Sequence, residues 1–297
     1  MAGTNVVKVM AVQGGVGSFA RQSFAPANGG KSVRPDLIVF PAFAGLGLVE
    51  GSENASSFAG VLELARQADR LEDRIIERAM ELAARTGAVV VPGSVILPVG
   101  DSFVSRSYVV TADGVVARQD ATHAGPFERS WPLKTATSLE PVPTPVGVVG
   151  LVVGWDAFVP EVWRILALQG ADIICVPQAM AAPYSQWHQL PGVWAQVQQN
   201  QVYAVEACLV GEWAGQAWAG VSALHGPVEI TPGDTGYLSQ AQSHDRPDAV
   251  AGVFDFTALR SIRSAYPIFS FLNRPLYRAM MPGIYRGGDG RGGHGRA

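Results

Sequence analysis

Residues 144–178 (TPVGVVGLVVGWDAFVPEVWRILALQGADIICVPQ) constrain the fold more than any other part of this chain. Residues 146–153 form a nearly unbroken β-branched apolar run, the pattern of a strand buried on both faces. The run stops at Gly154-Trp155-Asp156. Pro160 then opens a helix at a position where its missing N–H costs nothing, and Glu161 lies near the positive end of that helix. Val162, Ile165, Leu166 and Leu168 supply an apolar stripe, Gly170 ends the helix, and residues 173–176 make the next strand. Strand, sharp elbow, helix and strand predict an α/β (α+β) protein. In such a unit the elbow faces a cleft at the carboxyl end of a strand.

The remaining pattern agrees with that class. Residues 6–13 read as a first strand, 14–35 as loop with at most one short helix, and 36–40 as a second buried strand. Gly29-Gly30-Lys31-Ser32 is similar to the end of a phosphate loop. Ala25 stands where the earlier glycine belongs, however, no strand leads in, and Val33-Arg34-Pro35 forbids the helix that should come next. Residues 56–85 give the longest helical pattern, with Phe58, Val61, Leu62, Ala65, Leu71, Ile75, Ile76, Met80, Leu82 and Ala83 on one side. Acids and arginines interleave on the other side at i,i+4 spacing. Gly87 closes this helix, strands come next at 89–95 and 105–110, and Asp113-Gly114 turns into another.

A net charge of −3 argues against a general nucleic-acid or membrane-surface role. Cys175 and Cys208 are the only cysteines, too few for a disulfide framework, so a reducing compartment and a cytoplasmic location are expected. The apolar run at 6–12 is too short for a signal peptide or a membrane span. The tail, residues 287–297, is low-complexity. Its few arginines, with an aspartate among them, are a weak signal for RNA. No metal or cofactor is expected.

The elbow segment resembles the nitrilase (carbon–nitrogen hydrolase) superfamily, with a pattern close to G-x-x-I-C-Y/W-D/E-x-x-F-P-E-x-x-R-x-L-x-x-x-G-A-D. This chain matches it at Gly150, Trp155, Asp156, Phe158, Pro160, Glu161, Arg164, Leu166 and Gly170-Ala171-Asp172. A second stretch, with Asp113-Gly114, Thr122-His123 and Pro126-Phe127-Glu128, is similar to the family's lysine motif. Residues 187–206 resemble its late helix, with Trp194, Ala204 and Glu206 placed on it, and 222–233 resemble a later hairpin. Residues 255–277 are similar to its C-terminal element, so the resemblance covers about 6–277. It implies a four-layer α-β-β-α sandwich in one domain, residues 1–286. Residues 255–286 would then serve as an assembly element for a homodimer or a larger homo-oligomer.

The same resemblance implies that a cysteine, a glutamate and a lysine converge on one carbon, as nucleophile, general base and oxyanion stabiliser. Here those three positions fall on Gly154, Ala42 and Ala121, and none of the replacements can titrate. Glu128 matches the family's supporting glutamate and is retained. Around the cleft we place Glu128, Trp155, Asp156, His123, Trp187 and His188. Three readings are open. One is a pseudoenzyme kept for a small-molecule ligand or for assembly, a hetero-complex with an active enzyme included. The second is a repurposed enzyme in which Glu128 acts as acid or base. The third, and least favoured, is an ordinary active nitrilase whose site is misaligned here. Cys175 and Cys208 are expected to be small core residues, Cys175 in a strand and Cys208 after a helix.

Overall fold

The computed structural model describes residues 5–22, 34–125, 128–186 and 189–286. One sheet is built from β1 (Val6–Gln13), β2 (Leu37–Val39), β3 (Val89–Val91), β4 (Ser94–Val99), β5 (Ser102–Thr111), β6 (Gly114–Asp120) and β15 (Asp248–Asp255). β1, β2 and β3 run parallel, and β15 closes the far edge antiparallel to β1. The second sheet contains β7 (Val142–Thr144), β8 (Gly147–Leu151), β9 (Ile173–Gln178), β10 (Tyr203–Cys208), β13 (Ala223–His225) and β14 (Tyr237–Gln240). Its centre, β8-β9-β10, is again parallel. A small hairpin, β11 (Gly211–Trp213) with β12 (Gln216–Trp218), stands apart.

Period-2 alternation explains how the layers stack. Val7, Val9, Leu37, Val39, Val89 and Val91 point into the space between the sheets, where they meet Val149, Leu151, Ile173, Cys175, Tyr203 and Val205. Ile38 and Val90, one residue out of step, face helices α2 (Phe58–Gln67) and α3 (Leu71–Thr86) instead. Ile174, Val176 and Ala204 face α4 (Pro160–Leu168) and α5 (Ala195–Asn200). Each central strand is therefore buried on both sides, and this is why its sequence is nearly continuous in β-branched residues. The result is the four-layer α-β-β-α sandwich that the resemblance implies. The elbow unit forms as read, β8 then α4 then β9, with Pro160 as the first helical residue.

Three local readings are corrected. The long helix at 56–85 is two helices, α2 and α3, separated by Arg70 in the left-handed region at φ 47°. An unbroken helix would carry the stripe of Val61 and Ala65 onto Asp69 and Glu72, and would leave Leu71 about 80° off it. The break resets the phase, so that Leu71, Ile75, Ala79 and Leu82 are buried. The ion pairs along its outer face include Arg70–Asp73 and Arg78–Glu81 at i,i+3 and Arg70–Glu77 at i,i+7, rather than i,i+4 pairs.

The strand at 89–95 is likewise two pieces, β3 and β4. Val90 lies opposite Val110 and Ser94 opposite Ser107, so four steps on one side face three on the other. This is a bulge at Pro92-Gly93, where Gly93 has φ 87° and a Cβ would collide with the Pro41 carbonyl.

Finally, the reading of 187–206 as a helix holds only in part. α5 stops at Gln201, whose φ is 48°, and Ala204 and Glu206 lie on β10 paired in parallel with β9. Cys208 is the last residue of that strand and does not come after a helix. The β-branched and aromatic residues at 202–205 favour the strand, because its neighbour β9 offers a free edge there.

α1 (Ser18–Arg21) is the one short helix of the 14–22 stretch, while the phosphate-loop-like segment at 29–32 lies outside the described residues. The described residues end in α6 (Phe256–Ala265) and α7 (Arg274–Arg286), the latter with Met280, Ile284 and Tyr285 exposed. Among the described residues no helix is long and apolar enough to cross a membrane.

Candidate functional site

The parallel strands end side by side, and the residues just beyond their carboxyl ends gather in one place. After β2 come Ala42 and Phe43, after β8 comes the elbow at Gly154-Trp155, and Gln178 closes β9 ahead of Met180. With Ser94 of β4, Ser105 of β5, Trp218 of β12 and Glu128 they enclose a cavity of about 180 Å³. Its position, at carboxyl ends of parallel strands, is where an α/β sheet ordinarily places a ligand.

Each wall is held from behind. The Trp163 indole N–H donates to the Ala157 carbonyl (3.0 Å), tying α4 to the single 3₁₀ turn Gly154–Phe158. Trp155 packs on Phe158 with ring centroids 4.7 Å apart. Phe43, at a positive φ of 62°, donates its N–H to Ser94 Oγ (3.3 Å) and packs edge-on to Phe58 and Trp218. A bulky residue in that conformation is held there by its surroundings. Gly154 also lies in the left-handed region, with φ 59°, and a Cβ there would meet only Glu128 Oε1, at 3.5 Å. The position has space for a side chain and lacks one.

Asp156 organises the loop that carries Glu128. Its carboxylate is fully buried and collects four donors. Thr122 N–H reaches Oδ2 (2.8 Å), while Oδ1 receives Thr122 Oγ1 (2.8 Å), His123 N–H (2.8 Å) and His123 Nδ1 (3.0 Å). Burial pushes the Asp156 carboxyl up from its ordinary value, and the Thr122 and His123 donors pull it back. Two residues further along the loop, Gly125 donates its N–H to Glu128 Oε2 (2.7 Å). Burial raises the Glu128 carboxyl as well, the Gly125 N–H opposes this, and the like charge of Asp156 adds to it.

Of the residues singled out from sequence, Ala42, Gly154, Trp155 and Glu128 line the cavity together. Ala121 is buried one step behind the wall: its N–H donates to the carbonyl of Ser105 (2.8 Å), and its own carbonyl accepts from Ala136 (2.9 Å). His123 and Asp156 bind each other outside the lining, with the imidazole half-exposed. Trp187 and His188 lie outside the described residues.

The sequence pointed to none of Ser94, Ser105, Gln178, Met180 and Trp218. For Gln178 a signal existed, since it is the polar end of a buried parallel strand; Trp218 gave none. Both thiols are remote from chemistry. Burial raises Cys175, in the inter-sheet core, and Cys208 far above the ordinary thiol range, with the charge of Glu206 adding to the effect at Cys208.

A second buried polar group sits on β10 and β13. His225 Nε2 contacts Glu206 Oε2 (2.9 Å), Gln189 Nε2 donates to the same oxygen (3.0 Å), and Tyr184 O–H donates to Gln189 Oε1 (2.9 Å). His225 and Glu206 are almost wholly buried, and His225 Nδ1 has no partner among the described residues.

Known proteins share both the sequence and the fold. The chain is 29% identical over 176 residues to an (R)-stereoselective amidase from a Pseudomonas species, a match covering 59% of this chain and 60% of that protein. It is 26% identical to a deaminated glutathione amidase from Yersinia enterocolitica, over 76% of this chain and 81% of the relative. A carbon-nitrogen hydrolase from Helicobacter pylori G27 superposes with a TM-score of 0.74 at 18% identity, covering 93% of this chain and 98% of the other. The NitFhit protein of C. elegans superposes with a TM-score of 0.72 at 19% identity, over 93% of this chain and 67% of that one. The family model for carbon-nitrogen hydrolases matches residues 28–234, and the chain belongs to that family.

Proposed function

We propose that this protein is a non-hydrolytic member of its family, a pseudoenzyme that keeps the cavity to bind a small molecule. One observation carries the reading. The cavity is bordered by Ala42 and Gly154 where the resemblance calls for a base and a thiol, Ala121 stands in place of the lysine, and the one ionisable side chain among the described lining residues is Glu128. Neither cysteine substitutes, because both are buried and their thiolates strongly disfavoured. By analogy with hydrolases whose nucleophile has been deleted, loss of the thiol alone would cost on the order of 10⁶ in rate. The test is a panel of primary amides, nitriles and N-carbamoyl amines incubated at high protein concentration. No ammonia release above the uncatalysed rate, and no acyl adduct by mass, is expected. A stable adduct on either cysteine overturns the proposal.

A repurposed enzyme is the second reading. It is favoured by the raised Glu128 carboxyl, which would hold its proton closer to neutral pH and suit it to general acid or base work. Turnover of any substrate that disappears in Glu128→Gln would establish it in place of the first.

The same proposal takes residues 1–286 as one unit, in which 255–286 serves self-association. Phe271, Met280, Ile284 and Tyr285 stay exposed, and the Tyr285 hydroxyl bonds Glu161 of α4. Truncation after Asn273 is expected to lower the mass in solution measured by light scattering. An intact protein that is already monomeric refutes this part. A cytoplasmic location belongs to the same reading, and fractionation of cells tests it.

A further inference from the structure

We propose that the cavity selects a small organic monocation, an alkyl- or arylammonium of about six to eight heavy atoms. This rests on the small-molecule-binding reading above and adds the charge and size of the ligand. Size is set by volume: an apolar cavity of roughly 150 Å³ holds a benzene molecule, and this one measures about 180 Å³.

Charge is set by the side chains of the walls. Among the described lining residues there is no lysine, arginine or histidine, and Glu128 is the only acid. The like charge of the nearby Asp156 acts on Glu128. Ala121, behind the wall, adds none. Among the described residues Glu128 therefore has no cation to pair with, and a half-buried carboxylate without one is costly. An ammonium entering the cavity supplies that partner, forming a charge-assisted hydrogen bond. Trp155, Trp218 and Phe43 line the same space, and aromatic faces attract a desolvated cation further. An anion of the same size meets the Glu128 carboxylate and no cation among the described lining residues. A neutral molecule gains only the burial of its carbon chain.

The experiment titrates the unmodified full-length protein with pentylammonium chloride, 1-pentanol and sodium pentanoate. Tryptophan fluorescence reports the cavity, and calorimetry checks the stoichiometry. Pentylammonium is expected to bind about tenfold or more tighter than pentanol, the size of one charge-assisted contact, while pentanoate is not bound. In Glu128→Gln, checked for folding by circular dichroism, the ammonium should fall to the level of pentanol, with pentanol unchanged. If pentanol or pentanoate binds as well as the ammonium, the charge selection is overturned and the small-molecule reading survives. Retention of the preference in Glu128→Gln also overturns it. Failure of all three probes to bind overturns the inference and the binding reading together.

Discussion

Removing the Asp156 carboxylate is the sharpest test of how the cavity is built. Among the described residues its Oδ2 serves only the Thr122 N–H, at 2.8 Å, while Oδ1 serves the Thr122 hydroxyl, the His123 N–H and the His123 ring. Asp156→Asn can keep its amide oxygen at the Oδ1 position, but then its NH₂ faces the Thr122 N–H, donor against donor. The loss is one charge-assisted bond with a buried donor left over, about 2–3 kcal/mol. Asp156→Ala strands three groups, two backbone N–H and one hydroxyl. The His123 ring is about half exposed (side chain 46%) and finds water instead. At roughly 1–3 kcal/mol for each stranded group, reduced because the loop can relax, the alanine variant should lose about 3–5 kcal/mol. That is a large share of the roughly 5–15 kcal/mol that holds an ordinary domain together. Urea unfolding tracked by fluorescence measures both variants. An asparagine variant within about 0.5 kcal/mol of the parent, or an alanine variant no worse than the asparagine, would refute the assignment of Asp156 as the anchor of this loop.

Three further outcomes are expected. Gly154→Ala should cost about 1–2 kcal/mol from its left-handed backbone alone, since the new Cβ meets only Glu128 Oε1 at 3.5 Å; a loss above about 3 kcal/mol in urea unfolding would point to a clash the geometry does not contain. The Glu128 carboxyl is raised, so its contribution to stability is fully present below the ordinary glutamate pKa and is lost as pH rises through the folded-state value. Glu128→Gln should therefore match the parent near about pH 4 and become the more stable of the two toward pH 8, and the opposite trend across a pH series of unfolding curves contradicts the burial argument. His225→Leu leaves Glu206 buried beside Gln189 alone and should cost about 3–5 kcal/mol, whereas Glu206→Met with His225→Leu together recovers most of it; equal stability of the single and double variants in thermal unfolding would show that the pair is not coupled.

Much of the architecture is legible in the chain because burial on both faces leaves a local mark. β2 and the β8-α4-β9 unit show β-branched runs or a helical stripe with Pro160 at its start, β1 shows an alternation, and each forms where the pattern places it. The helix at 56–85 misleads because its apolar residues share one stripe only until their phase is carried through Asp69. Glu206 misleads for a related reason. A helix-like motif runs through residues 187–206, and only the open edge of β9 decides that its last third becomes a strand.

Sequence alone determined the elbow, the family, and the side chains standing at Ala42, Ala121, Gly154 and Glu128. Each of these is a property of residues close together in the chain. Tertiary structure decided that Ala42, Gly154 and Glu128 share one cavity while Ala121 sits behind it, and that Ser94, Ser105 and Trp218 complete the walls. It also decided that Asp156 reaches back across 34 residues to hold Thr122. Those facts depend on how two sheets stack and in which register their strands end, and no periodicity of a single segment encodes that.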